Sequence, residues 1–294
     1  MLAEELLAVL VCPVCGGAPL RLDVEEARGD VVARGTLGCA DCKRWYRVID
    51  DIPSLMPEQV ASSLRAADAH WEGWRAVMDE FLQWRDKAWS DPEAARSRRE
   101  TAAAMHARFL EFCELPARTF ICLDVGAGTG HVADLLPDDC TYIGIDPLRG
   151  GRAPDTGELP EQMPRPSRPV SLVQGVGEVL PFADGSFHAV LMVGALDHCN
   201  DPDRVLAESR RVLATGGRFG LLLGVAEEKP RGGLLRSLAS AFSAEPRARD
   251  THTFTFTAGQ LHELVGRHFT IETSTEDSGR AFIRAVAGPD VSEQ

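Results

Sequence analysis

From Thr119 onward, short apolar runs rich in β-formers alternate with polar, helix-forming or looped stretches. The runs fall at 120–125, 142–145, 189–193 and 218–225. Strands separated in this way predict an α/β fold with a mainly parallel sheet and crossover helices. The stretch before them, 58–118, has few breakers and reads as helix. Candidate helices span 60–89 and 92–113. Asp91 is placed to cap the second, with Pro92 at its first position and Leu115-Pro116 closing it. Residues 150–169 hold five prolines and three glycines and predict an irregular surface loop.

Length and composition bound this picture without changing it. A chain of 294 residues, 44% hydrophobic and 26% charged, has room for about two domains and a sizeable core. No run approaches the ~18 continuous apolar residues of a membrane-spanning helix. Glu4 and Glu5 stand where a secretory signal carries basic residues, so the expected location is the cytoplasm. The 31 basic against 44 acidic residues give a net charge of −13, spread over all parts of the chain. Nucleic-acid binding through phosphate neutralisation leans the other way, so a nucleic-acid partner is not expected.

Four of the eight cysteines form a pattern: Cys12-Pro-Val-Cys15 and, 23 residues on, Cys39-Ala-Asp-Cys42. Each pair can offer two thiolates from a tight turn, and two turns complete a tetrahedral zinc site. Gly16 and Gly17 permit the positive dihedrals such a turn uses. A hairpin between the pairs absorbs the long gap. Four ligands leave no open position, which points to structural zinc. A redox dithiol, or buried cysteines with no common role, are the alternatives. Cys113, Cys122, Cys140 and Cys199 show no ligand spacing and read as small core residues.

The run that follows, Trp45-Tyr-Arg-Val-Ile-Asp-Asp-Ile-Pro53, resembles the tail of Trm112-type zinc ribbons over residues 9–57. Arg47 and Asp51 stand where that family usually has proline and glycine. The resemblance implies a ribbon that activates or supports a methyltransferase, with a protein partner through the ribbon as one possibility.

The first predicted strand runs into Asp124-Val-Gly126-Ala-Gly128-Thr-Gly130. A glycine turn at the carboxyl end of the first parallel strand is where doubly wound sheets bind ligands. The dinucleotide fingerprint needs a further glycine at 131, which is His131. An acid, Asp146, ends the next strand 18 residues after Gly128 and can accept ribose hydroxyl protons.

Together with Gly175-Val-Gly-Glu178, the Pro181-Phe stretch and Arg211-Val-Leu-Ala-Thr-Gly-Gly217, these residues resemble class I S-adenosylmethionine-dependent methyltransferases of the type 11 group. That implies a Rossmann-like, doubly wound, seven-stranded sheet. It also implies a domain order of ribbon (1–57), helical linker or lid (58–118) and catalytic domain (119–294). The implied cofactor contacts are Asp124, Gly126, Gly128, Gly130, Asp146, Val176, Gly177, Glu178 and Val193. Val176 stands where the family often has an aspartate for the adenine amino group.

Methyl transfer from a sulfonium mainly needs alignment, and a base only when the acceptor must lose a proton. His198 and His252 are the candidate bases, with His131 at the glycine loop. Trp71, Trp74, Trp84 and Trp89 offer an apolar lid or a docking face, and Arg98 with Arg99 read as a solvated pair, with the cofactor carboxylate as the alternative partner. The function expected is methyl transfer to a small-molecule acceptor such as a sugar, a glycoside or another biosynthetic intermediate. Ribosomal-RNA base methylation and a non-catalytic partner-binding module are the alternatives.

Overall fold

The computed structural model describes residues 3–56, 69–152, 158–227 and 253–288, with the backbone alone over 69–77. The amino-terminal unit holds helix α1 (Glu4–Val9) and strands β1 (Leu20–Arg28), β2 (Val31–Cys39), β3 (Trp45–Ile49) and β4 (Ile52–Pro53). They form one antiparallel sheet in chain order. The β1–β2 hairpin takes up the gap between the cysteine pairs. Its Leu20–Cys39 register returns the chain to the same end, beside the first pair.

Helix α2 (Ala69–Ala88) precedes α3 (Pro92–Cys113). The Asp91 carboxylate caps α3 by accepting the Ala94 amide at 2.7 Å, with Pro92 behind it. The helix ends in a left-handed Glu114, φ 47°, two residues before Pro116.

The remaining strands are β5 (Phe120–Val125), β6 (Cys140–Asp146), β7 (Ser171–Gln174), β8 (Phe187–Val193), β9 (Leu213–Gly224), β10 (Thr270–Asp277) and β11 (Arg280–Val286). They build a seven-stranded sheet in the order β10-β11-β9-β8-β5-β6-β7. Strands β5 to β9 pair parallel, and β11 runs antiparallel to both of its neighbours. Helices α4 (Pro202–Val212) and α5 (Ala258–Gly266) complete the layers.

Strand alternation sorts the core into two layers. Cys122, Leu191, Leu222 and Phe282 meet Phe109 and Cys113 of α3 on one face. Leu123, Val190, Leu221 and Ile283 share the other face's cluster with Val205 of α4 and Leu261 of α5.

The structure corrects one expectation. Between β5 and β6 the chain holds only a short 3₁₀ turn, His131–Leu135, in place of a crossover helix, while the described part of the loop expected between β6 and β7 opens on another, Arg149–Gly151. Pro137 bars further helix after the first, because the residue before a proline is driven from the α region.

The amino-terminal sheet is joined to the large one. Ser54 bridges Gln174, the Leu55 amide donates to the Gln174 carbonyl at 2.8 Å, and Leu6, Val48 and Leu55 share one apolar cluster with Ile145 and Val173.

Candidate cofactor cleft and cysteine cluster

Strand order reverses between β5 and β8, and doubly wound sheets hold ligands in the crevice this leaves. A cleft of about 840 Å³, measured to its open mouth, lies there. Its floor is the turn after β5. Gly126, Gly128 and Gly130 have φ of 82°, 56° and 82°, a region that favours glycine. A Cβ on Gly126 would stand 2.2 Å from that of Ala195, whereas one on Gly128 would meet nothing within 4 Å. Gly126 therefore lets two turns pack, and Gly128 keeps an open cradle beside the ligand space.

Asp146, at the end of β6, forms the next wall. Its Oδ2 accepts the Gly128 amide at 2.9 Å and its Oδ1 the Leu148 amide at 2.8 Å. Burial pushes this carboxyl up to about 6, while the two amides and the Arg85 guanidinium pull the other way. Above that pH it is an ionised acceptor, and each oxygen retains a lone pair beyond the one its amide uses.

Gly175, Val176, Gly177 and Glu178, after β7, line the opposite side. The Glu178 Oε1 accepts the Asn200 and Asp201 amides at 2.7 and 3.2 Å, and burial raises its pKa. This carboxylate anchors the turn into α4, which leaves the backbone of Val176 and Gly177 along the cleft. Gly194, Ala195, His198 and Cys199 close the end of β8. Above them α2 presents Met78, Phe81 and Arg85, with the Phe81 and His198 rings 5.1 Å apart.

The predicted positions divide. Gly126, Gly128, Asp146, Val176, Gly177, Glu178 and His198 line one cleft. Asp124, Gly130 and Val193 stand behind it. The Asp124 carboxylate takes the Tyr142 hydroxyl at 2.7 Å, and Val193 packs against the α3-side core. His131 also turns away, its ring 5.3 Å from that of His106. His252 lies outside the described residues. Two residues on, the Phe254 amide donates to the Asp197 carbonyl at 3.0 Å. The side chains of Trp71 and Trp74 also lie outside the described set, while Trp84 is half exposed against Phe81.

Arg99 reaches the Gln162 carbonyl at 2.6 Å rather than the cleft, and Arg98 is exposed. The arginine in the wall is Arg85, which sequence reasoning missed together with Met78, Phe81 and Met163. Met78, Phe81 and Arg85 repeat at i, i+3 and i+7, the signal of a shared helix face. The loop expected at 150–169 is bound down in part: the Thr129 hydroxyl donates to the Pro164 carbonyl at 2.7 Å, and Met163 lines the cleft.

The sulfurs of Cys12, Cys15, Cys39 and Cys42 lie within 4.8 Å of one another, with Cys12–Cys42 and Cys15–Cys39 each at 3.6 Å. Four thiolates ~2.3 Å from one metal stand ~3.8 Å apart in a tetrahedron. The donor set fits zinc. Each turn closes by a backbone bond, Gly16 to Cys12 and Lys43 to Cys39, with positive φ at Gly16 and at Lys43. The Tyr46 hydroxyl lies 3.0 Å from the Cys12 sulfur, an outer partner for the ligand set.

Comparison with known proteins follows the same division. Residues 123–221 match the family described as methyltransferase domain, and residues 4–51 that described as Trm112p-like protein. An uncharacterized protein of Mycobacterium tuberculosis (strain ATCC 25618 / H37Rv) is 33% identical over 180 residues, covering 60% of this chain and 54% of the relative. A malonyl-[acyl-carrier protein] O-methyltransferase of Methylococcus capsulatus is 34% identical over 129 residues, 42% of this chain and 44% of that one. The chain thus spans about half the length of the curated relatives it matches.

Among solved structures, the [4+2]-cyclase SpnF superposes with a TM-score of 0.50 at 20% identity, over 64% of this chain and 82% of that one. That likeness shows the fold and leaves the chemistry to the site. Over residues 123–221 the chain belongs to the class I S-adenosylmethionine-dependent methyltransferases, and a Trm112-like region stands ahead of that domain.

Proposed function

We propose that the protein transfers the methyl group of S-adenosylmethionine to a small-molecule acceptor. The observation that carries this reading is the open cradle at Gly128 beside the ionisable carboxylate of Asp146. In it Asp146 accepts the ribose hydroxyls, the turn 126–128 lets the backbone approach the methionine portion, and Val176 and Gly177 offer backbone groups to the adenine. When bound, the sulfonium supplies an already activated methyl group. The chain's own task is to align the acceptor and exclude water, and orientation alone supplies about 7–11 kcal/mol.

Met78, Phe81 and Met163 give the cleft an apolar wall, and His198 beside Phe81 can take a proton from a hydroxyl or ammonium acceptor. A sugar bearing an apolar aglycone, or another biosynthetic intermediate with apolar surface, suits that wall. Cys12, Cys15, Cys39 and Cys42 hold a structural zinc in the ribbon, 1–57. The lid segment, 58–118, and the catalytic domain, 119–294, complete the proposed division. A reduced, cytoplasmic setting suits the thiolates. No helix among the described residues is long and apolar enough to cross a membrane.

A second reading, ribosomal-RNA base methylation, is favoured by one feature. Trp45 is 63% exposed on the ribbon, next to Lys43, Arg44 and Arg47 in the chain. The same face suits a protein partner, since β4 is committed to β7. Incubation with methyl-labelled S-adenosylmethionine and either the small-molecule or the RNA fraction of a lysate separates the readings. Label in the small-molecule fraction is expected. Label in RNA overturns the acceptor assignment, and label in neither overturns the enzymatic reading.

A further inference from the structure

Arg85 is an anomaly in a helix that otherwise covers the cleft with apolar side chains. It is 1% exposed, although arginine is almost never fully buried without partners. Its partners are local. The guanidinium donates to the Gly151 carbonyl and, at 2.6 Å, to the carboxylate of Asp86 on the same helix. Gly151 closes the turn that follows Asp146, and Gly151, Asp146 and Arg85 line one cleft. The bond to Gly151 ties the covering helix to the strand end that carries the proposed ribose acceptor.

Asp86 is half exposed and loses part of its hold on the charge to water. The positive end of Arg85 also faces the cleft that Asp146 lines. We propose that Arg85 is a positioning residue for adenosyl binding: from the lid helix it holds the turn after Asp146 and brings a positive charge to the cleft that this carboxylate lines. The proposal rests on the reading of Asp146 as the ribose acceptor.

The groups facing Asp146 make the charge balance clear. Asp124 on β5 and Cys199 after β8 both have pKa values raised mainly by burial and further by the negative charge of Asp146, and Glu178 and His198 share the cleft. Among the described residues lining the cleft, Arg85 supplies the permanent positive charge. Without it, burial acts on Asp146 with only the Leu148 and Gly128 amides against it. Its protonation then moves toward neutral pH, and a protonated carboxyl offers fewer acceptor sites to two hydroxyls.

The test is titration calorimetry of S-adenosylhomocysteine with the full chain from pH 5 to 9, for the wild type, Arg85→Gln and Arg85→Lys, each with a melting curve. Wild-type affinity is expected to fall as pH drops through about 6. For Arg85→Gln that midpoint moves up by about one pH unit, with roughly twofold weaker binding at pH 7 and a loss approaching tenfold at pH 5, and Arg85→Lys restores the midpoint.

An Arg85→Gln protein that binds with the wild-type midpoint overturns the proposal while leaving the cofactor reading intact. A wild type that binds at no pH overturns both. Should Arg85→Gln fail to fold, Asp86→Asn decides, since it frees the guanidinium from its half-exposed rival. A lowered midpoint supports the proposal, and an unchanged or raised one overturns it.

Discussion

The Asp124 carboxylate takes a hydrogen bond from Tyr142, yet burial and the charge of Asp146 push its pKa up to about 7. In the unfolded chain the same group titrates near its ordinary value, 3.8. The folded state therefore binds the proton more tightly between these values, and stability falls as pH rises through that window. Asp124→Asn keeps an acceptor for Tyr142 and removes the buried charge. Its unfolding midpoint is expected to exceed the wild type's by several degrees at pH 8 and to match it at pH 4, in melting curves at both.

Tyr46 is the corresponding case in the ribbon. Its hydroxyl lies against the Cys12 sulfur, and an outer partner of this kind is worth ~10–100-fold in metal affinity. Tyr46→Phe should lose about that much in zinc competition with a chelator. The glycines after Cys15 marked the first cysteine turn in the sequence. The second uses Lys43 at φ 61°, a choice no residue preference announces.

The strands were legible at the scale of elements because each is an apolar run ended by glycine, acid or polar residues. The start of β5 and its end at Val125 coincide with the predicted run. Asp91 with Pro92 likewise announces the start of α3. The crossovers were not legible. Alternation predicts a connection between strands, but a single 3₁₀ turn satisfies it as well as a helix.

The role of Asp124 was hidden for a related reason. Sequence places it before the glycine turn, while Tyr142 from the adjacent strand decides where its carboxylate points. Arg85 was hidden by its type, since an arginine on a helix reads as solvated until the cavity beneath it is seen.

Two element-scale tests follow. Gly128→Val puts a branched side chain into the open cradle and into a left-handed backbone. S-adenosylhomocysteine affinity should fall at least ~100-fold, or ~2.7 kcal/mol, by calorimetry. His198→Ala should lower turnover at least ~10-fold, a typical lower bound for a lost proton-transfer group being ~100-fold, with cofactor affinity retained. Unchanged turnover would remove His198 from the reaction.

Across the whole molecule, the ribbon holds both ends of one cleft-lining segment. Leu55 donates to Gln174, and past the cleft residues Val11 donates to the Pro181 carbonyl while the Ala183 amide donates to Val9. Between these clamps lie Gly175, Val176, Gly177 and Glu178. Arg211 closes the same segment from α4 through the carbonyls of Leu180 and Phe182, at 2.9 and 2.8 Å. Disorder at the cysteine cluster should therefore reach the cofactor cleft. Cys39→Ser is expected to lose its zinc and to bind S-adenosylhomocysteine ~10-fold more weakly, ~1.4 kcal/mol, although no cysteine of the cluster lines the cleft.

The proposed methyl transfer depends on the cleft at the end of β5 being an adenosyl site. Titration calorimetry of the wild-type chain with S-adenosylhomocysteine at pH 7.5 tests this most directly. One site per chain, with Kd on the order of micromolar, is the predicted result. No saturable heat up to about 1 mM ligand would contradict it.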